Sequence, residues 1–459
     1  MKRREFCAQT GLAIASTFLL SPSNIAQASN SYQLVAQTAS QQLAGPSDPK
    51  TELMLYGGTS PGPLLTAKKS EMLKVQFKNR LDVPSTIHWH GIRNINEMDG
   101  VPDLTQPNVE PGEDFSYEFA VKDAGTFWYH AHNKAWEQVA RGLYGPLIVL
   151  EEDERLDASN LVLVIDDWRL TSDFQIDMAS MGSLHDWSHS GRLGNWLTIN
   201  GASKPDIQIA KDMPVRLRLI NAANARIMTF RLEGDHKFEV VAIDGAPCMP
   251  VSTSQITLAP AQRLDVMVEL EQAVTLLETS GREPVKAAIL KPDIAISQPV
   301  SRRPAPHSWY ARPDVNEARI IDIHMQGGAM GNLSSARFNG EELSLRELAQ
   351  THGKLWAFNG EVGGYHNLLA EIGLMQTVIL RLFNNTGWPH AIHLHGQHFW
   401  VQSAELTTEP VWMLRDTYLM KPQEKSDLIF IADNPGQWLF HCHMLEHHVA
   451  GMGGVISVG

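Results

Sequence analysis

The C-terminal part of the chain contains the segment His441-Cys442-His443-Met444-Leu445-Glu446-His447, which is followed by Met452. In a β-strand successive side chains point to opposite faces, so His441 and His443 would share one face and Cys442 would occupy the other. The cysteine, His447 and Met452 supply a thiolate, an imidazole and a thioether, and the upstream His390 supplies a second imidazole. These four groups are the ligand set of a blue-copper electron-transfer centre.

The His-x-His spacing of this segment recurs along the chain. It occurs four times, at residues 88–90, 130–132, 393–395 and 441–443, whereas random placement of 19 histidines in 459 residues would give about one such pair. A single pair usually marks a surface strand or hydrogen-bonded histidines, but burying all eight imidazoles without metal would leave many nitrogen atoms without partners. Imidazole suits copper, zinc, iron and nickel, and eight are too many for one ion. The pattern therefore predicts several metal ions in one cluster.

Four stretches of the sequence resemble the copper motifs of the three-domain multicopper oxidases, the group of laccases, bacterial cuprous oxidases and spore-coat oxidases. They are His88-Trp89-His90-Gly91, Trp128-Tyr129-His130-Ala131-His132, His390-Ala391-Ile392-His393-Leu394-His395-Gly396, and His441-Cys442-His443 with His447 and Met452. The resemblance covers the two outer thirds of the chain strongly. The middle third is matched only by its position and its strand-rich character.

The resemblance implies four copper ions and assigns each ligand to one of them. His390, Cys442 and His447 would bind the type 1 copper, with Met452 as a weak axial ligand. His88 and His393 would hold the type 2 copper. The type 3 pair would be held by the remaining histidines of the four motifs, which are His90, His130, His132, His395, His441 and His443.

The resemblance also implies a role for Asp99 as the catalytic acid that supplies protons near the type 2 copper. The local sequence alone is equally compatible with a turn-forming aspartate before Gly100. One position departs from the family pattern, because His448 stands where many bacterial relatives have a glutamate. Proton supply on that side of the cluster is therefore open.

The resemblance implies an enzyme that oxidises a small reducing substrate and reduces dioxygen to water. Cuprous oxidases place an acid and a methionine shortly before the first type 1 histidine, where this chain has Thr386 and Trp388. This departure favours a laccase-like oxidase of phenols or aromatic amines. Oxidation of cuprous, ferrous or manganous ions in metal tolerance is the alternative. A copper store or a copper-free structural protein is disfavoured, because all four motifs are complete.

Short apolar runs bounded by Gly, Pro, Asn or Asp predict an all-β fold. They include residues 73–77, 161–165, 215–220, 378–383 and 453–458. With the resemblance, they predict three tandem cupredoxin-like Greek-key β-sandwich domains over residues 29–155, 156–300 and 301–459. A helix is expected near residues 343–348, and residues 178–195, rich in Ser, Gly and Met, are expected to form a long loop.

The composition and the N-terminus indicate an exported globular protein. The net charge of −13 argues against nucleic-acid binding, and 43% hydrophobic residues argue against disorder. Residues 1–28 combine Arg3 and Arg4 with an apolar stretch and a small-residue cleavage site, which predicts a twin-arginine-type signal peptide and a periplasmic location. The apolar stretch is too short to span a bilayer, so no membrane span is expected. Because one chain carries every copper motif, we expect a monomer.

Overall fold

The computed structural model of the chain describes residues 30–296, 303–306, 309–407 and 409–459. The predicted signal peptide at residues 1–28 and the predicted domain boundary at residue 300 lie outside these ranges. Within them, β-strands form most of the ordered structure and the helices are short.

The strands divide into three sets along the chain. The N-terminal third contains β1 (Ser31–Gln41), β2 (Thr51–Tyr56), β3 (Leu65–Lys68), β4 (Met72–Asn79), β5 (Ile87–His90), β6 (Asp114–Ala120), β7 (Gly125–Ala131) and β8 (Tyr144–Leu150). The middle third contains β9 (Asn160–Trp168), β10 (Trp196–Ile199), β11 (Asp206–Ala210), β12 (Val215–Asn221), β13 (Met228–Leu232), β14 (Phe238–Ile243), β15 (Ala246–Thr253), β16 (Gln255–Leu258), β17 (Arg263–Val268), β18 (Val274–Glu278) and β19 (Val285–Ile294). The C-terminal third contains β20 (Arg319–Gly327), β21 (Ser335–Phe338), β22 (Glu341–Ser344), β23 (Trp356–Phe358), β24 (Leu368–Ile372), β25 (Thr377–Asn384), β26 (His390–Leu394), β27 (Phe399–Ser403), β28 (Val411–Arg415), β29 (Thr417–Met420), β30 (Lys425–Ile431), β31 (Gly436–Cys442) and β32 (Gly453–Val458).

Each third forms two main sheets from its own strands. The strand orders are β2-β1-β4-β6 and β3-β8-β7-β5 in the N-terminal third, and β10-β9-β12-β17-β14-β15 and β11-β19-β18-β13-β16 in the middle third. In the C-terminal third they are β23-β20-β25-β30-β27-β28 and β24-β32-β31-β26-β29, with an added hairpin of β21 and β22. The all-β prediction is confirmed.

The three thirds share one topology. In the first sheet of each, the first strand pairs in parallel with a later strand: β1 with β4, β9 with β12, and β20 with β25. The second sheet of each also has one parallel pair: β3 with β8, β11 with β19, and β24 with β32. The same arrangement therefore occurs three times, although the sequence shows no visible repeat.

Each pair of sheets encloses an apolar core. Because successive side chains of a strand point to opposite faces, every second side chain faces away from that core. Phe440 and Cys442 of β31 point into the C-terminal core, so the intervening His441 points to the opposite side. In β7, Tyr129 points into the N-terminal core, and His130 faces away from it. The outward sides of β7 and β31 nevertheless stay buried, because each is covered by another part of the molecule.

The strand register aligns the histidine pairs within each outer third. His88 of β5 lies opposite His130 of β7. His393 of β26 lies opposite His441 of β31. Residues opposite one another in antiparallel strands point to the same face, so each outer third presents a histidine-rich patch.

The helices are α1 (Ala135–Gln138), α2 (Leu184–Ser188), α3 (Leu345–His352) and α4 (Leu445–Val449). The helix expected near residues 343–348 is present as α3, which begins after Ser344 because the Ser344 hydroxyl accepts from the Glu347 amide. The expectation of a long loop over residues 178–195 is wrong, because α2 interrupts it and is capped in the same way by Ser183. Among the residues that the structure describes, no helix combines the length and apolar character needed to cross a bilayer.

The turn before β24 provides a test of the packing around the C-terminal sheet. A Cβ atom on Gly363 would lie 1.6 Å from the Gly453 carbonyl oxygen, whereas one on Gly364 would meet no atom within 4 Å. We expect Gly363→Ala to lower the free energy of unfolding by about 1–3 kcal/mol, as overpacking does. Scanning calorimetry of this variant should show an earlier transition, and Gly364→Ala is the matched control. Equal melting of the two variants would contradict the packing described.

Candidate metal centre

The eight histidines of the four His-x-His pairs form one buried cluster. Each is at most 2% exposed. Four come from the N-terminal third and four from the C-terminal third, namely His88, His90, His130 and His132, and His393, His395, His441 and His443. The two histidine-rich patches therefore face each other across the contact between the outer thirds.

Ring stacking joins the two patches. The imidazole of His88 stacks on that of His395, and the imidazole of His90 stacks on that of His393, with 3.8 Å between ring centroids in both pairs. Each stacked pair combines one residue from each outer third. The cluster is thus a single centre shared by the two ends of the chain.

Ring nitrogens approach one another closely within this centre. His395 Nε2 lies 3.1 Å from His441 Nε2, and His132 lies close enough to form a three-ligand group with them. His130 Nε2 lies 3.4 Å from His443 Nε2. This contact also joins a residue of the N-terminal third to one of the C-terminal third.

Burial keeps seven of the eight imidazoles of the cluster in the neutral form. Burial lowers the pKa well below the usual value, and neighbouring histidines lower it further, for His90, His130, His132, His395, His441 and His443. Burial also lowers the pKa of His393 to about 3. A neutral imidazole has one N–H group and one lone pair, so the cluster is rich in lone pairs.

Hydrogen bonds to one nitrogen of several rings fix which nitrogen carries the lone pair. His88 Nδ1 donates to the Asp99 carbonyl oxygen at 2.8 Å, and His393 Nδ1 donates to the Asp416 carbonyl oxygen at 2.8 Å. His90 Nε2 lies 3.0 Å from the Thr417 hydroxyl oxygen. Such contacts orient metal-binding histidines and set their tautomers.

Several of the remaining nitrogens have no partner in the protein. Buried atoms without a hydrogen bond include His88 Nε2, His90 Nδ1, His132 Nδ1, His393 Nε2 and His443 Nδ1. Leaving each such atom unsatisfied costs about 1–3 kcal/mol. Convergent, neutral lone pairs without a proton donor are what a transition-metal ion requires, so these residues fit a metal cluster.

Asp99 lies in the cluster, where the sequence analysis expects it. It is fully buried, and one of its carboxylate oxygens, Oδ2, accepts a hydrogen bond from His395 Nδ1 at 2.8 Å. The residue after it, Gly100, has φ +84°, and a Cβ atom there would lie 1.8 Å from the Ile87 carbonyl oxygen. The close approach of the backbone to β5 places Asp99 in contact with Nδ1 of both His88 and His395.

Asp416 and Arg263 belong to the centre, although the sequence analysis did not identify them. Asp416 follows β28 and is fully buried, with its Oδ1 atom 3.3 Å from His90 Nε2. Arg263, from the middle third, donates from Nη1 to Asp416 Oδ1 at 2.8 Å. Burial alone would raise the pKa of Asp416, but the Arg263 guanidinium holds it well below its usual range. The middle third thus anchors a charged group against the cluster.

Cys442 lies in a second, smaller centre on the other face of β31. Its Sγ atom is 3.6 Å from His390 Nδ1 and 3.7 Å from His447 Nδ1, and these two nitrogens are 3.0 Å apart. All three side chains are fully buried. Burial raises the pKa of the Cys442 thiol to about 12, so a bound cation would be needed to hold it as a thiolate.

Met452 lies beside this second centre. Its carbonyl oxygen accepts from the Cys442 amide at 3.0 Å, and its own amide donates to the His447 carbonyl oxygen at 2.9 Å. The side chain is fully buried in the C-terminal core. The structure thus gathers all the residues that the sequence analysis selects for a sulfur-containing site.

Comparison with known proteins identifies the family. Residues 37–154, 159–276 and 341–459 each match a family model described as multicopper oxidase. The chain is also 31% identical over 455 residues to multicopper oxidase MmcO of Mycobacterium tuberculosis, an alignment that covers 91% of this chain and 85% of the relative. The chain belongs to the multicopper oxidase family.

Two further relatives support the fold and the chemistry of this oxidase. A multi-copper oxidase from Pseudomonas thermotolerans has a crystal structure that is similar with a TM-score of 0.78, at 30% identity and covering 94% of this chain and 99% of that one. Laccase-1 of Botryotinia fuckeliana is 27% identical over 478 residues, covering 92% of this chain and 80% of the relative. The three pairs of sheets are therefore cupredoxin-like, and the histidine centres are consistent with the copper binding that the family implies. The domain boundary at residue 155 stays a prediction.

The role of the ion pair between Asp416 and Arg263 can be tested by substitution. Replacing Asp416 by Asn removes the charge next to His90 and leaves the buried Arg263 guanidinium with only its longer, 3.8 Å ion pair with Asp244, which should cost up to about 3 kcal/mol of stability. Losing a group that holds a metal-binding histidine should also weaken copper binding about 10–100-fold. Calorimetry and copper retained against a competing chelator would measure the two effects.

A surface pair of similar geometry serves as the control for that variant. Arg381 makes two hydrogen bonds to Asp427, at 2.9 and 3.0 Å, on an exposed face. Asp427→Asn should change neither stability nor copper retention appreciably, because exposed ion pairs contribute little. Identical behaviour of the two variants would show that Asp416 does not hold the centre together.

Proposed function

We propose that this protein is a laccase-like multicopper oxidase that couples one-electron oxidation of phenols or aromatic amines to the four-electron reduction of dioxygen to water. The observation that carries the proposal is the position of Cys442. Its thiol lies in the small centre, and its two peptide bonds connect it to His441 and His443 of the large cluster. This connection gives a direct covalent route for electrons between the two centres.

The proposal includes four copper ions with the ligands that the family resemblance implies. His390, Cys442 and His447 would hold the type 1 copper, with Met452 as axial ligand. His132, His395 and His441, which lie within ligand distance of one another, would hold one type 3 copper. His90, His130 and His443 would hold the other, and His130 and His443 are in contact. His88 and His393 would hold the type 2 copper. When bound, such ions accept electrons singly at the type 1 site and deliver four of them to dioxygen at the cluster.

The protein's own contribution to the cluster includes a proton carrier. We assign this role to Asp99, whose Oδ1 atom is buried, has no hydrogen bond and lies 3.3 Å from His88 Nδ1. A proton held at Oδ1 would be available to oxygen being reduced nearby. On the opposite side, the His448 ring packs 4.4 Å from the His441 ring, where many relatives have a carboxylate.

The surroundings of His390 favour an organic substrate. His390 Nε2 lies 2.9 Å from the Thr386 hydroxyl oxygen, so no carboxylate occupies the position where a cuprous oxidase has one. The Trp388 indole lies close by, with Nε1 donating to the Ala329 carbonyl oxygen at 2.9 Å. Neither group is a good ligand for a metal ion that acts as substrate.

Metal-ion oxidation is the second candidate, and one observation favours it. His185 and His189 stack with 4.1 Å between their ring centroids next to the small centre, and imidazole is a ligand for cuprous and ferrous ions. In that case the oxidase would act in metal tolerance.

Three measurements test the leading proposal. The copper-loaded protein should contain four coppers per chain, show an intense blue absorption band, and oxidise four molecules of a phenol such as guaiacol for each dioxygen consumed. Cys442→Ser should lose the blue band and the phenol oxidation while the other coppers remain. Cys248→Ser is the matched control, because Cys248 packs against the core of the middle third and should change neither property. Phenol oxidation that requires excess free copper would favour metal-ion oxidation instead.

We further propose that the oxidase works as a monomer in the periplasm after export by the twin-arginine route. The support is Arg3 and Arg4, followed by the apolar stretch and the small residues at 26–28. Replacing both arginines by lysine should keep the protein in the cytoplasm, because the route requires the arginine pair. Lys2→Arg is the control that should still be exported. Cell fractionation followed by immunoblotting measures the outcome, and normal export of the double variant would contradict the proposal.

A further inference from the structure

The outer nitrogens of both imidazoles in the small centre are already bonded within the protein. His447 Nε2 donates to the His189 carbonyl oxygen at 2.7 Å, and His390 Nε2 contacts the Thr386 hydroxyl. Both histidine side chains are fully buried. A reducing substrate therefore has no free imidazole edge to bind, so its electron must pass through the residues that cover the centre.

The cover consists of α2 and the turn after β20. The Trp356 indole, whose ring lies 4.4 Å from the His447 ring, donates from Nε1 to the Trp187 carbonyl oxygen at 2.7 Å. The Ala329 amide donates to the Ser188 carbonyl oxygen at 2.7 Å. These bonds fix α2 over His447, and they leave Ser188 and Ala329 at the edge of the cover.

A cleft of about 420 Å³ opens on the outer side of this cover. Its lining includes Ser188, Ala329 and Leu355 next to the small centre and Leu345 and Ala349 on α3. Ser188 is bonded to His189, and Leu355 is bonded to Trp356, so each is one residue from a group that touches His447. The volume suits a small aromatic molecule, and the apolar walls suit its ring.

Arg346 of α3 is the single charged residue in the lining of this cleft. Its side chain is exposed, and it makes no ion pair with a carboxylate in the part of the chain that the structure describes. An unpaired guanidinium binds a carboxylate through two parallel hydrogen bonds. The cleft therefore combines an apolar floor near the small centre with an anion-binding group at its rim.

We propose that this cleft is the substrate site and that it binds phenolic carboxylates. The aromatic ring would lie against Ser188, Ala329 and Leu355, and the carboxylate would pair with Arg346. Each oxidation would remove one electron and the hydroxyl proton from the phenol, giving a neutral phenoxyl that keeps its carboxylate. The proton goes to water, and four such oxidations balance the conversion of one dioxygen and four protons into two water molecules. This inference rests on the proposed function and names its substrate class.

The test compares a phenolic carboxylate, ferulate, with its uncharged methyl ester in steady-state oxygen uptake. In Arg346→Gln, kcat/KM for ferulate should fall about 3–5-fold, mainly through KM, because an ion pair at an exposed guanidinium is lost. For the methyl ester, kcat/KM should stay within about 2-fold of the wild-type value, since the ester has no carboxylate to pair with Arg346. Arg337→Gln, which removes another exposed arginine of the same third, is the matched control. Its kcat/KM for both substrates should equal that of the wild type.

A second variant distinguishes binding in the cleft from attraction of anions to the surface. Gln350 is exposed and also lines the cleft, so Gln350→Trp should fill the cleft without disturbing the fold. It should raise KM for ferulate and for the ester alike, with an unchanged blue band and copper content. An unchanged KM for both substrates in this variant would place the substrate elsewhere.

Failure of the proposed function can be told apart from failure of the proposed substrate site. If the copper-loaded wild type oxidises neither phenol, the proposed function fails and the inference fails with it. If the wild type oxidises both phenols and Arg346→Gln affects the two equally or not at all, the inference alone is wrong.

Discussion

The structure depends on the burial of eight imidazoles between the two outer sandwiches. Desolvation suppresses protonation of seven of these rings, and strand register places the histidines of each outer third on one face. Protein groups satisfy one nitrogen of many rings but leave others, such as His88 Nε2 and His393 Nε2, without a partner. The centre is therefore unfavourable as protein alone and becomes favourable when metal ions accept the lone pairs. This requirement explains why the outer thirds must meet where they do.

The alternation of side chains in β31 links that cluster to the second centre. Phe440 and Cys442 point into the C-terminal core, while His441 points towards the other outer third, where its ring contacts that of His132. A single strand thus places a sulfur ligand in one centre and imidazoles in the other. No additional element is needed to connect them, since the connection is the backbone itself.

Much of this could be predicted from the sequence, because it depends on local spacing. Side-chain alternation in strands places His441 and Cys442 on opposite faces, and short apolar runs indicate the all-β fold. Asp416 and Arg263 could not be found in this way, since they meet the cluster only through contacts between distant parts of the chain. The three tandem sandwiches could be predicted only with the family resemblance, because different side chains fill equivalent strands and no repeat of the strands is visible in the sequence. Helix α2 was missed because one turn capped by Ser183 carries little periodicity.

The central claim is that copper ions occupy both centres in the positions that the side chains define. Anomalous diffraction from crystals of the copper-loaded protein, recorded on either side of the copper absorption edge, tests this most directly. We expect three peaks among the eight histidines of the four His-x-His pairs, and a fourth between Cys442, His390 and His447. Peaks confined to the protein surface, or no peak beside Cys442, would contradict the account.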